Sequence, residues 1–169
     1  MAMNLSQDWL SQCRAVCQAA KYVGEEVNWA PRPNHAGAVA AHAAILDRYH
    51  VALPGLSFLG EIQQRTWGPY QKYSLMYRSG GVALRVFMLE VYPPHRRSHM
   101  SESGDVFGPH MHLGDERGTG STQMVRPVKC RLDTASLVGW IGRFKRHSQV
   151  SNDGTNVLEQ PFPDDLFGI

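Results

Sequence analysis

Residues 71–92, QKYSLMYR-SGG-VALRVFMLEVY, constrain the fold more than any other part of the chain. Tyr73, Leu75 and Tyr77 recur at every second position, which places them on one face of an extended segment, because successive side chains of a strand point to opposite sides. Ser79-Gly80-Gly81 follows, and glycine supplies the positive φ that a tight hairpin turn needs. The return segment is apolar at nearly every position, the pattern of a strand covered on both faces inside a sheet. Pro93-Pro94 stops it, since proline has no N–H to give to a ladder. An antiparallel hairpin at the centre of a sheet is the first expectation.

The neighbouring segments extend that sheet. SFLGEIQQRTW (57–67) reads as a preceding strand and TQMVRPVKCRL (122–132) as a later one, with Pro127 pointing to an edge or bulge. Helices are predicted at the ends. Leu10, Cys13, Cys17 and Ala20 recur at helical spacing after the capping-type Asn4 and Ser6, and Gly24 closes the pattern. Asn34 would cap a second, alanine-rich helix to about Tyr49, with Val39, Ala43 and Leu46 on its apolar stripe and Leu53-Pro54-Gly55 ending it. Asp133 or Thr134 would cap a third, with Leu137, Trp140, Ile141 and Phe144 inward and Arg143, Lys145 and Arg146 outward.

The predicted class is therefore α+β: an antiparallel sheet of about four to five strands, with two N-terminal helices and one C-terminal helix packed on it. A single domain over 1–169 is expected, divided into a helical part (1–52), a sheet (56–132), a helix (133–148) and an extended acidic tail (151–169). Pro161 and Pro163 make the tail extended rather than helical.

No run approaches the length of apolar sequence a membrane helix needs, and the N-terminus lacks a basic flank followed by an apolar stretch. A cytoplasmic protein without a membrane partner is the expectation. Cys13, Cys17 and Cys130 are an odd set, poor material for a disulfide framework, and read as small buried apolar groups. The net charge is only +2, but Lys and Arg concentrate between residues 85 and 150 and the tail carries acids alone. A basic face of that kind could receive phosphate.

The chemistry concentrates in SHMSESGDVFGPHMHLGDERG, residues 98–118. His110 and His112 flank one residue, so in an extended segment both imidazoles emerge on one face. Two converging imidazoles suit two tasks. One accepts a proton while the other donates, as cleavage of RNA requires, with His99 as an auxiliary. Arg96, Arg97, Arg126 and Lys129 would then form a phosphate-binding rim. Alternatively, His110, His112 and Glu116 (or Asp115) hold one divalent transition metal such as Zn. His95, after Pro-Pro, is a weaker member of the set. His35, His42 and His50 read as structural, and Tyr73, Tyr77 and Tyr92 as packing against a helix rather than stacking bases.

Gly104, His110, His112 and Glu116 match the spacing of the first metal motif of the cupins. Gln123 stands where that motif wants glycine, however, and the second motif, Pro-x-Gly-x-x-His, is missing. Over roughly residues 70–147, His99, Gly104, His110, His112 and Gly114 resemble a family of small uncharacterised bacterial and phage proteins with a His…Gly…His-x-His core. They also resemble the TumE-like toxins of toxin–antitoxin modules. The chain departs from both in its PPHRRS insertion and its N-terminal third. The resemblance implies a toxin-like or mobile-element protein, an RNA-cleaving activity needing no cofactor, and RNA, an antitoxin or a host protein as partner. Two readings stand beside it: a cupin-like metal site, and a non-enzymatic inhibitor of a host protein whose binding survives alanine at both His110 and His112.

Overall fold

A computed structural model describes residues 8–24, 27–101, 104–115, 124–129 and 131–152. Helix α1 spans Trp9–Gln18, and short strands β1 (Lys21–Val23) and β2 (Ala30–Pro31) follow. A long meander then runs through β3 (Ala38–Leu46), β4 (Ala52–Arg65), β5 (Gly68–Ser79) and β6 (Val82–Val91). The chain continues through a hairpin of β7 (Arg97–Ser101) and β8 (Gly104–Phe107) into β9 (His110–Leu113) and β10 (Met124–Pro127). Helix α2 (Leu137–Ser148) and β11 (Val150–Ser151) complete the described residues.

The α+β expectation is overturned. Of the described residues 52% lie in strands and 17% in helices. The main sheet is mixed and nine-stranded, ordered β10-β9-β6-β5-β4-β3-β1-β11, with β2 on the β1 side of β3, and β7–β8 form a separate ribbon. Among the described residues two helices are present rather than three. The predicted second helix is β3: Val39, Ala41, Ala43 and Ile45 are buried while His42 is exposed, a period of two. Alanine favours a helix by propensity, but pairing with β4 along nearly the whole strand satisfies the backbone and overrides it. Leu53-Pro54-Gly55, expected to end that helix, lies inside β4.

Other expectations hold locally. The β5–β6 turn places Gly80 and Gly81 at φ +55° and +83°, the conformation a two-residue hairpin asks of both. Strand β6 lies between β9 and β5, and β10, with its Pro127, lies at an end of the sheet. Helix α1 begins under Asp8, whose carboxylate accepts from Leu10 N at 3.1 Å, but it ends at Gln18 rather than running through Ala20 to Gly24, because Lys21–Val23 form β1. Asn4, Ser6, Cys130 and the tail beyond Asn152 lie outside the described residues. Helix α2 is capped by Ser136, not Asp133 or Thr134; the Asp133 carbonyl instead accepts from Trp140 Nε1 at 2.7 Å.

Both helices pack on one face of the sheet. Trp140, Ile141 and Phe144 of α2 are fully buried there, and Phe144 meets Phe58, Tyr73 and Phe87 at centroid distances of 5.6–5.9 Å. Deleting such a buried ring typically costs about 3–5 kcal/mol. Tyr73 and Tyr77 belong to this core as expected. Past a bulge at Val86, alternation sends the other parity, including Glu90 of β6 and His110 and His112 of β9, to the opposite face.

Candidate metal centre

The register of β6 and β9 builds the site. Glu90 pairs with His110 and Met88 with His112, so these side chains share the face turned away from the helices. The β7–β8 ribbon adds His99 from above. Glu90, His99, His110 and His112 each offer one ligand atom, and these atoms lie within 4.8 Å of one another. Ring centroids of the three histidines are 4.9–5.0 Å apart. His110 and His112 are 0% and 3% exposed.

Hydrogen bonding sets the tautomers. Gly108, at φ +65° with Pro94 Cα 3.2 Å from where a Cβ would sit, turns the chain into β9 and presents its carbonyl to His110 Nδ1 at 2.9 Å. A carbonyl only accepts, so Nδ1 carries the proton and His110 Nε2 faces Glu90 Oε2 at 3.1 Å. Ser98 Oγ spends its single hydrogen on the Val106 carbonyl at 3.0 Å, and therefore accepts from His99 Nδ1 at 3.2 Å. His99 Nε2 is left with its lone pair, buried and with no hydrogen-bond partner among the described residues. His112 Nε2 lies 3.4 Å from the same Glu90 oxygen.

Electrostatics agree with this arrangement. Burial pushes the Glu90 carboxyl up, but hydrogen bonds and charge from His110 and His112 outweigh it and hold Glu90 well below the usual carboxylate range. Burial pulls the His112 and His99 imidazoles down, favouring the neutral rings that bind metals. Tyr70 donates from its hydroxyl to Glu90 Oε1 at 3.0 Å, and burial keeps that phenol protonated. One carboxylate oxygen is thus held from behind while the other faces the histidines.

Without an ion the Glu90 oxygen is satisfied by the facing imidazole nitrogens; with an ion between them, the same oxygen and nitrogens become its ligands. Tetrahedral bonds of about 2.0–2.2 Å to zinc set ligand atoms roughly 3.3–3.6 Å apart; the Glu90 oxygen stands 3.1 and 3.4 Å from the His110 and His112 Nε2 atoms, and the most separated atoms of the set would close by about 1 Å. The residues fit a metal ion.

Sequence reasoning named His99, His110 and His112, and the acid the structure sets beside them is Glu90. Glu116 lies outside the described residues. Asp115 is buried, but its Oδ2 accepts from Arg85 N at 2.9 Å and it stands outside the cluster. The residue that sequence reasoning passed over, Glu90, is the one acid in VALRVFMLEVY, and a carboxylate in a strand buried on both sides calls for a partner. The expected phosphate rim does not assemble. Arg96 lies over the Trp67 ring at 5.2 Å and Arg97 pairs with Asp105 at 3.3 Å. Arg126 shares the parity of Met111, on the helix side of the sheet, and Lys129 lies exposed beyond β10. His95 is exposed in the turn before β7 and outside the cluster.

No protein-family model, curated protein or solved structure matches the chain. No helix of the described residues is long and apolar enough to cross a membrane.

Proposed function

We propose that the chain is a mononuclear metalloprotein that holds one divalent transition-metal ion, such as Zn, through Glu90, His99, His110 and His112. One observation carries this reading: the acceptors behind His99 and His110 fix each Nδ1 as the protonated nitrogen. Both Nε2 atoms are thereby turned toward a cluster that also contains an ionised carboxylate. Four protein donors fill a tetrahedral zinc, as in closed, fold-supporting sites, whereas a six-coordinate ion would keep two positions for outside ligands. Acid–base cleavage of RNA by the same histidines stands second, because rings 0% and 3% exposed offer a phosphodiester little approach.

Elemental analysis after native purification tests the proposal. About one equivalent of a divalent transition metal is expected, lost on Glu90→Ala combined with His112→Ala. Less than about a tenth of an equivalent, with no rise in Tm on adding Zn, Mn, Fe, Co or Ni, overturns it.

A further inference from the structure

Across the sheet from the metal centre, a cavity of about 440 Å³ opens between α1, α2 and the β9–β10 edge. Its wall is apolar, formed by Phe87, Met111 and Leu113, and His112 borders it from the strand that both sites share. Its mouth is cationic. Arg14 comes from α1, Arg126 from β10, and Arg146 with His147 from α2. Among the described residues no carboxylate borders the cavity.

We propose that this cavity binds a small phosphorylated compound with an apolar body, its phosphate held by Arg14, Arg126 and Arg146. Three guanidinium groups bordering one cavity without a described acid repel one another, and a dianion offsets that cost where a single carboxylate would do so only in part. Guanidinium forks match phosphate oxygens two at a time. The bond that Arg14 Nη2 makes inside the cavity is to the Met124 thioether at 3.7 Å, a weak acceptor that phosphate would displace. Burial and the charges of Arg143, Arg146 and Arg126 pull the His147 imidazole down, leaving a neutral ring that can give one further N–H. The volume lies within the range of small-molecule sites, and the apolar wall gives the ligand's body a place out of water. The arginines are exposed, so the affinity falls as salt rises.

Calorimetric titration of the full chain with phenyl phosphate, inorganic phosphate and phenol at one ionic strength tests this. Phenyl phosphate is expected to bind at least about ten-fold more tightly than either fragment, and Arg126→Gln to weaken it by about ten-fold or more. Arg126 is exposed at an end of the sheet, and an unchanged circular dichroism spectrum shows that the variant is folded; Arg14→Gln repeats the test from the other side. Absence of phenyl phosphate binding, equal binding of inorganic phosphate, or undiminished binding by both variants overturns the proposal. Displacement of phenyl phosphate by a single-stranded RNA at lower concentration would overturn the small-ligand assignment in favour of a polymer. Glu90→Gln is expected to bind phenyl phosphate as wild type does, which separates this site's fate from that of the metal centre.

Discussion

His110 is held at both nitrogens, by the Gly108 carbonyl on one side and the Glu90 carboxylate on the other, and Glu90 is held in turn by Tyr70. Such outer partners set how well a ligand is aimed, and their loss typically costs about 10–100-fold in metal affinity. Tyr70→Phe keeps the ring and removes only the donor. Its expected result is a ten-fold or greater weakening of metal binding, measured by competition against a chelating dye, with the fold intact. Wild-type affinity in that variant would mean that the Tyr70 hydroxyl does not orient Glu90. At this scale the sequence was partly legible. A His-x-His pair declares its own geometry once the segment is extended, whereas Glu90 joins the cluster only through the β6–β9 register, which pairs residues twenty positions apart.

Between elements, Lys21 joins three pieces of structure. From β1 its Nζ donates to the Ala19 carbonyl at 2.6 Å, just beyond α1, and to the Ser148 carbonyl at 2.5 Å, at the end of α2. Burial pulls its pKa down from 10.5 to about 8. Between those values the unfolded chain holds a proton that the folded chain has released, so this residue's contribution to stability rises with pH. Below about 8 both states are protonated and the full cost of burying the charge remains. Denaturation midpoints of wild type and Lys21→Met, compared from pH 7 to 10, should therefore shift in favour of wild type. A difference that is flat, or that moves the other way, sinks the assignment. The same scale shows where sequence reading failed: AVAAHAAIL is consistent with a helix by composition, and only partners on both sides make it β3. The β5–β6 hairpin was legible because its turn and its alternation are local.

For the whole molecule, the Glu90–His99–His110–His112 cluster joins two sheets that share no ladder. The β7–β8 ribbon is a separate sheet, and His99 brings it into the cluster formed by β6 and β9. An ion that binds only the closed arrangement stabilises it by about 2.7 kcal/mol at a hundred times its Kd. Chelation should accordingly speed tryptic cleavage after Arg96 or Arg97 by about ten-fold or more while far-UV dichroism stays constant. Cleavage at an unchanged rate would mean that the ribbon is held without the ion. This coupling between sheets was the least legible part, since nothing in residues 97–107 marks them as a separate ribbon rather than a loop.

All four candidate donors fall between residues 90 and 112, whereas the β1–β11 pair joins Lys21 to Val150. Closing a loop of that length costs little entropy compared with bringing β1 to β11. An ion captured by this span would secure β6, the ribbon and β9 before α2 has left a ribosome, which sets the order of assembly. The metal would then act first as a folding template, with the two termini arriving on a centre already made.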